Sequence, residues 1–345
     1  MSDRARRYVG FALALGVALA LPRVLYPVLA LDIVLWGLFA VAVDLLLGFG
    51  GLLSFGHAAF WGSAGYAAGV AARQAHLPFP LAVAAGVAVS SALALPLGYL
   101  AVRRKGIYFA MVTLAFAQMV YYVANEWRAV TGGENGLQGI PRTLPGVSLS
   151  DPTTFYYAAL PFVLLGYWLA YRVVHSPFGH VLVAIRDNEA RAQALGYPTR
   201  RYLLLAFVIS AGLAGLAGSL FALGHGFAAL ELVHWTTSGT VVMMVILGGI
   251  GTLWGSVVGA LLVVLLRDWL SSWTDAWGVV TGTIFVAIVL GFRRGIWGTL
   301  AGLLSSRRLA GLTRGRAPAE APPEAPSPGP LAAAAPAPWT DGGDE

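Results

Sequence analysis

The chain predicts an all-α, polytopic integral membrane protein with about 8–10 membrane segments, some of them broken or re-entrant. Three observations predict it. Hydrophobic residues make up 58% of the 345 residues and charged residues 11%, with a mean hydropathy of +0.73; a soluble domain carries roughly 25% charged residues. Apolar runs of span length recur from end to end. The basic residues, all arginine except Lys105, sit in short blocks between those runs, as they do in membrane loops. A net charge of +6 arranged this way marks a lipid bilayer partner and no nucleic acid. The absence of cysteine excludes disulfides, thiolate metal sites and thiol catalysis.

A span needs about 20 apolar residues. That length predicts helices at about 8–21, 31–48, 52–72, 80–102, 106–124, 153–173 and 202–223, then an apolar tract over 237–266 and a last helix at about 278–292. The first run follows Arg4, Arg6 and Arg7 like a signal peptide. No small-residue cleavage site follows it, so it reads as a membrane segment. With both termini inside, seventeen of the 22 basic residues face the cytoplasm; Arg23, Arg73, Arg128, Arg142 and Arg267 are left outside. This satisfies the positive-inside rule. It also requires the tract 237–266 to cross an even number of times. Thirty residues at about 1.5 Å each cannot make two full spans, so a pair of short helices broken at Gly248-Gly249-Ile250-Gly251 is expected. Domain 1–304 is then the transmembrane body and 305–345 a Pro/Ala-rich cytoplasmic tail, too poor in large apolar residues to fold.

Two connections stand out. The outside loop 125–152 holds Thr131-Gly132-Gly133-Glu134-Asn135-Gly136 and three prolines, which predicts an ordered, turn-rich segment. The inside loop, about 175–201, contains Gly179 to Gly196. There Val183, Ile185, Ala190, Ala194 and Leu195 alternate with Arg186, Asp187, Glu189 and Arg191. That is a short amphipathic helix, ended by Gly196 and Pro198. Its charges suit a protein groove better than a membrane surface.

The candidate pathway residues come from the stretch 44–69. Its helix is interrupted by Gly48, Gly50 and Gly51, and it carries Asp44, Ser54 and His57. A similar run, Leu247 to Gly255, includes Gly248, Gly249, Gly251 and Gly255, and the echo suggests a parallel repeat. Transporters build pathways near the bilayer midplane from such glycine-broken helices. The plainer reading is close helix packing, since Gly251, Gly255 and Gly259 are spaced for it. Asp44, costly at mid-bilayer, is either a pathway or gating group or a packing hydrogen bond. His57 reads more readily as a packing donor, and nothing stands near it at metal-ligand spacing. No P-loop, HExxH or nucleophile-elbow pattern occurs, so no catalytic residue and no metal site is assigned. Any ATP must be used by a partner.

Four ordered stretches carry a resemblance: Leu45–Gly69, Gly106–Val120 with Thr131–Pro141, Ser176–Leu220, and Val245–Leu262. Over about 30–302 the chain resembles the LivM-type permease subunit of branched-chain amino acid ABC importers. The resemblance implies a bacterial inner-membrane protein working by alternating access, without cofactors of its own. Its partners would be a second, LivH-type permease, two ATPases that bind the ATP and Mg, and a periplasmic or extracellular binding protein. Arg186, Glu189, Ala190 and Gly196 would enter the cleft of the ATPase, with Asp187 and Arg191 beside them. Thr131, Gly132, Gly133, Asn135 and Gly136 would form an outer gate or binding-protein loop. The family often has Asn where this chain has Asp44. Urea and short-chain amide importers share these motifs. An ion-coupled carrier using Asp44 is the reading from another class; transport by the chain alone, driven by a pH gradient, would separate it.

Overall fold

A computed structural model describes residues 15–299 apart from 145–146, 274–275 and 292–294. These residues lie within one unit, Met1–Gly302; the expected tail 305–345 falls outside the described residues. After Leu15–Val24 (α1), the helices are α2 Pro27–Asp44, α3 His57–Arg73, α4 Phe79–Ala101, α5 Gly106–Glu126, α6 Arg128–Thr131, α7 Pro152–Val174, α8 Pro177–Asp187, α9 Glu189–Ala194, α10 Thr199–His225, α11 Trp235–Gly248, α12 Leu253–Ser271 and α13 Trp277–Gly291. Six are long and apolar enough to cross a membrane, and α1, α11 and α13 are shorter apolar helices.

The helix α2 is the axis of the bundle. Pro27 starts it, where a missing N–H costs nothing, and apart from Asp32 and Asp44 it is apolar all round. Its span window is 83% buried against 28% for α5 and α7, so α2 is core and α5 and α7 are periphery. It packs on α12, α10, α7 and α11. On its other side α10 packs closely on α3 and α4. Small residues permit that approach: Gly218 faces the Trp61 carbonyl and Gly65 faces Ala222. The rings of Trp36, Phe39, Trp61 and Phe221 fill the space between α2, α3 and α10.

The bundle has two distinguishable ends. At one lie α8, α9 and the ends of α2 and α11. At the other, β1 Leu137–Gln138 pairs antiparallel with β4 Phe227–Ala228, and Thr143–Leu144 (β2) pairs with Val147–Ser148 (β3). Among its described residues, the loop 125–152 carries the turns that its residues predict. Thr131 Oγ1 donates to the Ala124 carbonyl and accepts from the Gly133 amide, with Gly132 between them. Asn135 closes a 3-10 turn, and Gly136 lies against the Ala228 carbonyl.

Several boundaries differ from expectation. The third helix begins at His57, not 52. Residues 51–56 are non-helical because side chains take their amides: Phe55 donates to Thr113 Oγ1 and Gly56 to Ser54 Oγ. The tract expected at 237–266 runs from Trp235 to Ser271. Its break falls at 249–252, but only the first arm is short; α12, with 19 residues, is about 28 Å long. The single amphipathic helix is two, because Asn188 leaves helical geometry and its side chain caps the Arg191 amide.

Candidate functional site

The two glycine breaks meet. The end of α2 winds into a π turn, Leu45–Phe49, and there Gly48 lies against the backbone of Gly251. A side chain at Gly48 would overlap that backbone. Asp44 stands one turn earlier and its Oδ1 accepts the Gly251 amide at 2.8 Å. Asp44 is fully buried, and its Oδ2 has no hydrogen-bond partner among the described residues. The 249–252 turn is itself tight: Gly248 packs on the Gly255 carbonyl, and Thr252 Oγ1 donates to the Gly249 carbonyl. Gly51 (φ 70°) and Gly251 (φ 76°) adopt the left-handed backbone that reverses the chain. Gly50 packs on the Leu46 carbonyl.

From α8, Arg186 reaches into this junction. Its Nη1 donates to the Gly48 carbonyl at 2.6 Å, and its stem lies over Gly51. Asp187 holds the rest of the guanidinium at 2.9 and 3.1 Å. One helix pair thus touches both breaks through one side chain. Asp44 therefore belongs to the α8 end of the bundle, not to its middle. It lies about 6 Å along the helix from Gly48, in the last quarter of the 27–49 segment.

Glu189 turns inward. It pairs with Lys105 of the α4–α5 connection and accepts from Thr199 and Gln193. Burial pushes its carboxyl up, but the Lys105 and Thr199 hydrogen bonds and the Lys105 charge outweigh burial and hold it below the usual carboxylate range. Ala190, Arg191 and Gly196 are exposed, as is Leu195 at 72%. A groove of about 270 Å³ opens here, lined by Gly50, Gly51, Lys105, Arg186, Asp187 and Glu189 among others.

His57 sits apart from this junction, at the buried start of α3. The Ser54 hydroxyl donates to Nδ1 at 2.9 Å, and Nε2–H donates to Ser210 Oγ at 2.8 Å. The Ser210 hydroxyl in turn donates to the Ala42 carbonyl. That order assigns a neutral ring protonated at Nε2. The chain ties α3 to α10 and α2, so every polar atom of the ring is engaged. The sequence reading missed the Asp32–His225 pair, 2.8 Å apart at the hairpin end. An acid inside the first turns of an apolar helix was the available signal. Among the described residues no three His, Asp or Glu side chains converge as metal ligands would.

A many-span helical bundle with paired helix breaks beneath a short charged helix pair defines a polytopic α-helical membrane protein. The chain belongs to the family "Branched-chain amino acid transport system / permease component", which matches residues 28–289. Over 255 residues it is 30% identical to the high-affinity branched-chain amino acid transport system permease protein LivM of Escherichia coli (strain K12), and 31% identical to LivM of Salmonella typhimurium. Each alignment covers 67% of this chain and 60% of the relative, so the chain matches about three-fifths of the length of these relatives. It is also 30% identical over 200 residues to the autoinducer 2 import system permease protein LsrC of Salmonella typhimurium, covering 52% of this chain and 56% of that one. No solved structure matches. The chain is a multi-pass protein of the bacterial inner membrane.

Proposed function

We propose that this chain is one of two different permease subunits in an ABC importer for branched-chain amino acids. Two ATPases would bind α8–α9, and a binding protein would deliver solute at the hairpin end. The single observation behind this reading is the Arg186 contact, because it joins a partner-facing helix pair to both helix breaks. Movement of α8 by a partner would pull directly on the junction of α2 with the α11–α12 turn. In this reading Asp44 and the glycines of the two breaks are the moving joint. Glu189 keeps α9 seated against Lys105, and the outward side chains of Ala190, Arg191 and Leu195 meet the ATPase.

Branched-chain amino acids are the first choice of substrate because the LivM relatives cover more of the chain than the LsrC relatives do. The test is reconstitution with the neighbouring permease, ATPases and binding protein, followed by leucine uptake. Arg191→Glu together with Leu195→Asp should abolish leucine-stimulated ATP hydrolysis while the two permeases still co-purify. Wild-type stimulation in that double variant would sink the docking claim.

A further inference from the structure

The helix α5 exposes two faces of opposite character. One is apolar: Val112, Phe116, Met119 and Val123 recur at helical spacing, with Met119 and Val123 each 50% exposed. The other, roughly 140° round, changes along its length. Its half nearer α8 reads Ile107, Met111 and Leu114; its half nearer the hairpin end reads Gln118, Tyr121, Tyr122 and Asn125. Gln118 lies mid-helix and half-buried, and its carboxamide has no hydrogen bond among the described residues. A carboxamide at mid-span cannot face hydrocarbon unsatisfied without a steep cost, whereas it can line water.

The neighbouring helix repeats the pattern independently. Tyr121 packs edge-on against His234, ring centroids 5.1 Å apart, which sets the polar half of α5 beside the start of α11. The accessible face of α11 reads Thr236, Gly239 and Thr240, then Met243 and Ile246. Nothing lies within 4 Å of the space in front of Gly239. Two adjacent helices thus switch from hydrogen-bonding to apolar lining as they run toward the α8 end. The start of α11 is inside the bundle, since Ser238 Oγ accepts the Ala58 amide at the beginning of α3.

We infer that the α5–α11 face is this chain's share of the solute pathway, a wet vestibule whose floor is Gln118 and Thr240 and whose barrier is Met111, Leu114, Met243 and Ile246. The lining is rich in amides and hydroxyls and carries no fixed charge at its floor. It therefore suits a small, net-neutral, hydrogen-bonding solute, a class that holds both amino acid zwitterions and urea. The carboxamide of Gln118 offers donor and acceptor together, which matches a solute with both. The inference rests on the importer reading for the opposite wall, which a second permease would supply.

The chain has no cysteine, so single cysteines report without background from this subunit. Gln118→Cys, Thr240→Cys, Met119→Cys and Val123→Cys are placed in the full complex in liposomes and treated with a membrane-impermeant, sulfonate-bearing thiol reagent. Labelling of this subunit is read by mass. Gln118→Cys and Thr240→Cys should label at least tenfold faster than Met119→Cys and Val123→Cys, and either leucine or urea should slow them several-fold. Thr236→Cys serves as a second wet position should Gln118→Cys fail to assemble. Labelling of Gln118→Cys or Thr236→Cys no faster than Met119→Cys in a complex that imports leucine overturns the vestibule and leaves the importer reading intact. Fast labelling, where the unsubstituted complex itself imports neither solute, leaves the wet face standing and overturns the importer reading. Fast labelling that neither solute slows removes the floor as a solute contact.

Discussion

The breaks after α2 and after α11 look alike in sequence, yet they are built in opposite proportions. The first joins a long arm, Pro27–Phe49 counting the π turn, to the 17-residue α3; the second joins the 14-residue α11 to the 19-residue α12. The first break spends residues 50–56 on irregular backbone, held by Ser54 and Thr113. The second turns in four residues. The long arm α2 packs on both arms of the second break, on α12 most of all, whereas α3 touches the second break's arms mainly through α11. A glycine motif therefore encodes where two backbones can touch. The length of each arm encodes how deep the next helix begins.

The largest predicted effect tests whether the breaks depend on each other. Gly48→Val places a branched side chain against the Gly251 backbone and Asp44. It should destabilise the permease by about 3 kcal/mol, the upper range for overpacking, and abolish transport. Gly239→Ala, in open space, should leave the melting temperature within error. If Gly48→Val melts like the wild type, the breaks do not bear on one another.

The next effect separates the link to α8 from the joint itself. Arg186→Ala removes a charged hydrogen bond to the Gly48 carbonyl, a change of about 1.5–3 kcal/mol. Leucine uptake should fall at least tenfold while the two permeases still assemble. Normal uptake would show that α8 moves without pulling on the breaks.

Asp44 gives a smaller and more discriminating result. In Asp44→Asn the side-chain oxygen still accepts from Gly251, so transport should stay within about threefold, under the 1 kcal/mol of a typical neutral hydrogen bond. Asp44→Leu strands the Gly251 amide and should cost about 1–3 kcal/mol by thermal unfolding. A transport loss in Asp44→Asn as large as in Asp44→Leu would mean that the charge matters.

The smallest effect is a pH dependence at α9. The Glu189 carboxyl is held below its ordinary value of 4.5. Its pairing with Lys105 is therefore fully present above that value and fades as pH falls through the lower folded value. Protection of the 189–194 amides, taken relative to the intrinsic exchange rate at each pH, should be unchanged from pH 8 to 5 and fall as the pH drops below 4.5. In Lys105→Ala the same segment should exchange faster at pH 7. Identical exchange in Lys105→Ala and wild type would remove Lys105 as the anchor.

Much of the architecture was legible in the sequence. Spans follow from apolar length, because a bilayer accepts only helices of about 20 residues. A break expected at 248–251 followed from its glycines and from the charge count on either side, and it lies one residue on, at 249–252. The helix at 179–196 was legible as amphipathic, but its division at Asn188 was not. A capping asparagine and a surface asparagine have the same local context. His57 and Asp44 were visible as polar groups in apolar helices, while their partners were not.

What the sequence alone determined is the membrane fold, its break points and its family, because hydropathy, glycine and motif order are local properties. The tertiary structure alone decided that Gly48 meets Gly251, that Arg186 reaches Gly48 across 138 residues, and that His57 is closed off by Ser210 across 153. It also decided that the polar half of α5 stands beside the start of α11. Such pairings depend on how helices are arranged around α2, and that arrangement is set by the sum of many small packing contacts. No window of sequence contains both members of such a pair.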